Sequence, residues 1–497
     1  MAIYKPFDLE TTDLETPMVR MTKNILRLLL ASAFLLFIAN SAQAEQPTKL
    51  ASLRQFVAPN GTDSGTCGDS QQPCKSIGYA ISQAEEGGEI RVAAGIYKEL
   101  LQVTKSITLT GGFTTSNWIT PTWTTQQAIL DGQDAYRPLA INADNVTVDG
   151  FFVRNGNTSG VDRIGGGIFI GPVNTVNQAT LVNLRVENNV ASNFDSGEGG
   201  GIAATLGNTF QNPALLILNN VSIISNTAST GNLAASGGGL SIQAVGNSPL
   251  NVEMVNVVVA GNTAGNDFSS SGGGIAFSLN GGKATLRQVR ILDNRAAQIK
   301  TSLGGASRGG GIYLNSGNLQ LENVLLAGNF GERGDALSVQ PGNLLSATVS
   351  MNYVTLANNY RVAADAATII DSDGSQLFFR FANTLISGNP TLLHASNNAQ
   401  ATSLDFASVL IDNNVSSLSS GTVISNGVPL RGAAGYANEE TGDFHLRATS
   451  AAIDKGNNLP PAVDLEGTLR PIGAASDIGA HEFDAARNKV YLPLVVK

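Results

Sequence analysis

Gly-Gly-Gly followed by an aliphatic residue occurs five times in this chain, at nearly constant spacing. The copies begin at Gly165, Gly199, Gly237, Gly272 and Gly309, so the intervals are 34, 38, 35 and 37 residues. A repeat of this period predicts stacked supersecondary units and not one compact core. A second mark accompanies it, an apolar stretch ending in Asn, as in Val221-Ser-Ile-Ile-Ser-Asn226 and Val257-Val-Val-Ala-Gly-Asn262. The mark recurs at Asn294, Asn329, Asn359 and Asn389, with looser copies at Asn155, Asn189 and Asn414.

Between the marks, apolar residues alternate: Ile168 and Ile170, Leu240 and Ile242, Ile275 and Phe277, Ile312 and Leu314. Period two means strands with one buried face. With no helical stretch between them, βαβ, leucine-rich, ankyrin and tetratricopeptide architectures are excluded. The expectation is all-β: a right-handed parallel β-helix with three-strand coils of about 35 residues and a short N-terminal capping helix. Asn is expected at a turn, bonding its equivalents above and below and tolerating left-handed backbone. The Gly triplet suits a strand start where the backbone crowds the next coil. A calcium nonapeptide (Gly-Gly-x-Gly-x-Asp) is absent, so neither a metal nor a cofactor is expected.

Composition agrees. Among 497 residues, 55 are Gly and only 6% aromatic, which fits thin strands and many turns. The net charge of −9, with 14% charged residues, offers no footprint for nucleic acid or anionic lipid. Residues 1–44 read as a leader. Arg20, Lys23 and Arg27 precede a short apolar run at 28–39 and the small-residue site Ala42-Gln43-Ala44. That run is shorter than the ~20 residues a membrane helix needs. Asp8, Glu10, Asp13 and Glu15 stand ahead of the basic residues, which points to Met18 or Met21 as the true start. Cys67 and Cys74 suit a local disulfide in an exported chain, with a metal pair as the rival reading.

A solenoid needs closed ends. Ile77, Ala80, Ile81 and Ala84 form a helical apolar stripe suited to a lid on the first coil. Together with Phe56-Val-Ala-Pro-Asn-Gly, Val92-Ala-Ala-Gly-Ile-Tyr97 and Ile107-Thr-Leu-Thr-Gly111, this stretch resembles the N-terminal cap of right-handed β-helix proteins. That group includes pectin-active enzymes, surface adhesins and other exported proteins. Glycine triplets paired with Asn-ended strands are similar to chlamydial-type polymorphic surface proteins, although Phe-x-x-Asn is mostly missing. Gly442-Asp-Phe-His-Leu446, Ala452-Ile-Asp-Lys-Gly456, Asp464-Leu-Glu-Gly-Thr-Leu-Arg-Pro471 and Asp477-Ile-Gly-Ala-His-Glu482 resemble a choice-of-anchor C-terminal region. The resemblance implies a secreted or surface role in exported bacterial proteins. The expected divisions are a cap at 45–100, a β-helix at 101–439, an anchor-like C-terminal cap at 440–483 and a tail at 484–497. The tail resembles a short C-terminal tag; a final docked strand is the alternative. In the C-terminal cap, Asp454, Asp464 and Asp477 are expected around Arg470, near Glu482. A sugar site from the same residues is the other reading.

Catalysis finds little support. The Asn-Thr-Asp, Asp-Asp, His-Gly and Arg-Ile-Lys motifs of the polygalacturonase-like hydrolases are absent, and His394, His445 and His481 lie outside the triplet coils. Binding is better served by the polar loops 156–164, 190–198, 227–236, 263–271 and 295–308, which stacking would align. There Phe194, Asp195, Glu198 and Phe268 are the candidate ligand residues, and the two rings could instead tuck against the coil beneath. Three readings follow: a non-catalytic exported surface protein, an adhesin or a binder of glycans or envelope polymers through its stacked loops; a β-helix polysaccharide lyase or hydrolase; and a structural envelope component. The secreted chain is expected to begin at Glu45, which N-terminal sequencing of exported material would check.

Overall fold

A strand with one apolar face must bury it, and here each coil does so on the next. The computed structural model describes residues 54–486, apart from 161, 172–175, 208–211, 267–268, 298–306, 342–345, 360–367, 373–375, 389–390, 396–401, 416 and 421–422. The leader, Phe268, Asn389 and the end of the tail lie outside the described residues. The described residues from Gln55 onward belong to one compact unit.

The strands pair in parallel from coil to coil, and the chain is a right-handed parallel β-helix. One coil runs through Leu240–Ala244, Leu250–Val255, Val258–Ala260 and Thr263–Gly265. The fourth strand was not expected. Among the described residues it recurs in four coils and makes a small sheet of its own. Elsewhere strands fuse around a corner, as in Ile275–Leu292 and Ile312–Ala327.

The core is a set of in-register aliphatic columns. Leu139, Ile168, Ile202, Leu240, Ile275, Ile312, Leu337 and Ile370 pair in succession. All of them are fully buried. Leu181, Leu218, Met254, Leu286, Leu321, Met351 and Phe381 form a second column. Coils stand ~4.8 Å apart, so each side chain packs on its own equivalents.

The first coil is lidded by α1 (Ile77–Gln83), which buries Ile77, Ala80 and Ile81. Ser76 caps it, accepting from the Tyr79 N–H at 3.3 Å. The Glu99 carboxylate accepts from the Ile77 and Gly78 N–H groups at 3.0 and 2.8 Å. Cys67 and Cys74 form a disulfide, which removes the metal alternative there.

The asparagines depart from expectation in one respect. Asn189, Asn226, Asn262, Asn294, Asn329 and Asn359 are fully buried, and none has positive φ. Each of the first five donates its Nδ2 to the next Oδ1, at 2.9, 3.0, 2.9, 3.0 and 2.9 Å. The left-handed corner is the residue before: Asn188, Ser225, Gly261, Asp293, Gly328 and Asn358. Asn155 is therefore one place out of line. It occupies the left-handed position with φ 52°, and the adjoining Gly156 N–H meets the ladder through Asn189 Oδ1 at 2.8 Å. Asn414 is exposed and sits off the ladder.

A second corner carries its own series of left-handed residues: Asn183, Asn220, Asn256, Gln288, Asn323, Tyr353 and Asn383. The first three form a shorter ladder, Asn256 to Asn220 to Asn183 to Asp149, at 2.9, 2.7 and 2.7 Å.

The triplet has two steric causes. Its first glycine is left-handed, as at Gly237 with φ 65°. Its second has no room: a Cβ on Gly238 would stand 2.3 Å from Gly273 O and 2.4 Å from Thr263 C. We expect Gly238→Ala to cost about 3 kcal/mol or more. Gly246→Ala, with open space but φ +60°, should cost only about 1–2 kcal/mol. Urea midpoints of the two variants test the contrast.

Candidate functional site

The polar loops are held in register at both ends. At their start Asn157 bridges Val190, which pairs with Thr227; Thr263 and Arg295 follow. At their end Ile164, Glu198, Ser236, Ser271, Arg308 and Arg333 form a continuous series of parallel bridges. The described ends of the loops from successive coils therefore stand side by side on one flank.

Phe194 is 74% exposed on this flank. At that exposure most of its surface faces solvent and not the coil beneath. Asp195 beside it pairs with Arg163 of the preceding coil. Glu198 is half-buried, and burial raises its carboxyl above the ordinary range.

At the far end of the series Arg308 and Arg333 are in register. Like charges stacked this closely repel unless a counter-charge is at hand. Asp371 supplies one from the strand Thr368–Ser372. Burial raises its carboxyl, while Arg333, His394 and Arg308 pull it down. Its Oδ2 accepts from Ser338 and Gln340 at 3.3 and 3.4 Å, and Asp371 is fully buried. The sequence hid this group because Gly334-Asp335-Ala336 replaces the expected triplet. Only the pairing of Gly309, Gly310 and Gly311 N–H groups with Arg333, Gly334 and Asp335 carbonyls reveals the copy.

A third surface went unnoticed in the sequence. Trp123, Phe152, Asn183, Arg185 and Asn220 line a shallow groove of about 260 Å³. Arg154 and Arg185 both stack on the Phe152 ring, at 5.5 and 5.1 Å.

The C-terminal region is placed differently from an end cap. It folds back along the second corner. Val463 O accepts from Asn323, Pro460 O from Asn352 and Leu459 O from Tyr353, at 2.7, 2.7 and 3.1 Å. Asn383 Oδ1 accepts from the Asn457 N–H at 2.7 Å, and Glu466 pairs with Arg290 at 3.3 Å. The segment is a strap over the flank of several coils.

Within the strap, Arg470 meets one carboxylate and not three. Its Nη1 donates to Glu482 Oε2 at 2.7 Å, its Nη2 to Gly479 O at 2.9 Å, and its plane lies 4.1 Å from the Tyr353 ring centre. Asp454, Asp464 and Asp477 instead accept from backbone. Asp464 takes the Glu466, Thr468 and Glu482 N–H groups at 2.8, 2.8 and 3.0 Å. Asp477 takes Asp454 and Phe483 at 2.8 and 2.6 Å; Asp454 takes Ala474 and Ala475 at 2.7 and 3.0 Å. In a segment short of secondary structure, carboxylates do the work of ladder partners. Burial pushes the Asp477 carboxyl up to about 6 and also raises Glu482.

The two strap histidines converge, which their spacing of 36 residues concealed. Their rings lie 4.2 Å apart, and His445 Nε2 is 3.3 Å from Glu466 Oε2. His445 Nδ1 meets Asp443 at 2.6 Å. Against the effect of burial, these two carboxylates raise His445; burial and the neighbouring His445 charge hold His481 well below the usual imidazole range. Despite burial, the cations around Glu466 lower its carboxyl to about 2.

No known family model matches the chain, and no curated protein matches it in sequence. Five solved chains match in fold. One is pectate lyase Pel9A, 14% identical, with a TM-score of 0.46 over 87% of this chain and 96% of that one. Another is XylC in complex with xylose, 9% identical, with a TM-score of 0.35 over 86% and 98%. Likeness this loose carries no functional argument. Among the described residues no helix is long and apolar enough to cross a membrane.

Removing Arg470 would leave Glu482 buried without its cation. Arg470→Ala should therefore cost about 3–5 kcal/mol. Limited proteolysis should then cut within 440–483 while circular dichroism retains the β-helix signal.

Proposed function

We propose that this protein is an exported, non-catalytic surface protein that binds glycans on its loop flank. The observation that carries the reading is the in-register loop series, with Phe194 presented 74% exposed beside the Arg163–Asp195 pair. An exposed ring among fixed polar groups suits a sugar face, which offers both C–H and hydroxyl surface. The disulfide supports export, because such bonds persist in oxidising compartments. The leader at 1–44 is the address that this reading assigns.

A second reading, a β-helix lyase or hydrolase, is favoured by the grouping of Asp371 with Arg308, Arg333 and His394. Arginines could neutralise an acidic sugar, and a carboxyl with a raised pKa could move a proton. Against it, Asp371 is fully buried, and a polymer must touch the group that acts on it.

A glycan array and a uronide-release assay on the chain from Glu45 separate the readings. The expected outcome is selective retention of a glycan class with no product. Phe194→Ala should weaken that binding about 5- to 10-fold, the scale of one aromatic contact. Product formation that Asp371→Asn abolishes would overturn the non-catalytic reading, and an array without selective binding would overturn the glycan reading.

A further inference from the structure

The strap holds a cluster that neither glycan binding nor the fold requires. His445 lies in the strand Asp443–Leu446, Glu466 in a separate turn at 465–466 and His481 in the closing segment. One ligand atom from each lies within 4.8 Å of the other two. We propose that His445, Glu466 and His481 bind a divalent transition-metal ion, zinc by their ligand type, which pins the strap to itself. This inference does not rest on the glycan reading.

Four observations carry it. First, His481 is 3% exposed, and its Nδ1 has no hydrogen-bond partner among the described residues. A buried imidazole nitrogen without a partner is costly and needs an explanation. Second, two imidazoles and one carboxylate are a known zinc set that leaves a fourth position for water. Third, the spacing is suitable. Ligands about 2.1 Å from a tetrahedral ion lie roughly 3.4 Å from each other, and His445 Nε2 is 3.3 Å from Glu466 Oε2. Fourth, the outer partners are in place. Asp443 holds His445 Nδ1 at 2.6 Å, which turns Nε2 toward the cluster. Arg290 holds Glu466 Oε1 at 3.3 Å, which leaves Oε2 facing His445. Such partners orient ligands and fix the histidine tautomer. A cleft of about 140 Å³, lined by Asp443, His445, Glu466 and Asp464, gives an ion a way in.

The consequence would be mechanical. The three ligands come from three segments of a region poor in regular structure, and an ion shared by them joins all three. Arg290 extends the connection to the β-helix itself.

The test uses the chain from Glu45, stripped with chelator and dialysed, with zinc alone as the probe. Titration calorimetry should give one equivalent bound at submicromolar Kd, and zinc should raise the thermal midpoint. Cobalt in its place should give the visible absorption of a four- or five-coordinate site with nitrogen and oxygen ligands, a readout that needs no variant. Glu466→Gln and His445→Ala should each weaken zinc binding at least 10-fold, whereas His394→Ala should leave it unchanged. Absence of stoichiometric binding would overturn the proposal. So would undiminished binding in the double variant Glu466→Gln/His445→Ala, because the ion would then sit elsewhere.

Discussion

Burying a carboxamide is unfavourable unless every one of its polar groups is paired, and the rest of this fold depends on that condition. Asn262 shows how it is met. Its Oδ1 accepts from the Asn226 backbone N–H and side chain at 2.9 and 3.0 Å. Its Nδ2 donates to Asn294 Oδ1 and Ile223 O, both at 2.9 Å. Every partner belongs to a neighbouring coil, so a shift of one residue strands several groups at once. Each stranded group costs about 1–3 kcal/mol. Aliphatic columns supply most of the burial, yet they would tolerate a slip that exchanged one Ile for one Leu. The ladder supplies the register that the columns leave loose.

The second corner divides the molecule. Toward the N-terminal end its left-handed residues bond each other from Asn256 back to Asn183, which ends on the Asp149 carboxylate. Farther along, Gln288, Asn323, Tyr353 and Asn383 occupy the same corner but turn to the strap. Left-handed backbone is unfavourable for a bulky residue such as Tyr353, with φ 54°. Its ring is fully buried and lies under the Arg470 guanidinium, and its hydroxyl donates to the strap. Those contacts offset the strain. The strap thus replaces a self-satisfied ladder with contacts to a separate piece of chain. It closes a flank that would otherwise present open corners to solvent.

The two flanks differ in character as a result. The strap flank is dense with buried charge, and the loop flank is polar, open and repetitive. Function on the loop flank would come from repetition, since the ladders align many weak groups. Function on the strap flank would come from convergence, since distant segments meet at single points such as Arg470 and the histidine pair.

The sequence by itself determined the repeat, the alternation, the capping helix and the disulfide. Each of these is local or periodic: it concerns residues a few positions apart, or one position repeated at a fixed interval. It also marked Phe194 as a residue at odds with its polar loop. Tertiary structure decided the rest, because those features depend on which segments meet. The off-by-one place of Asn155 came from backbone handedness, which residue type alone leaves open. The Arg308–Arg333–Asp371 group was hidden by a degenerate triplet. Around Arg470, the C-terminal motifs suggested three aspartates, but those carboxylates went to backbone amides that had no ladder partner. His445 and His481 meet only because the strap doubles back on itself, and no spacing rule in the chain encodes that turn.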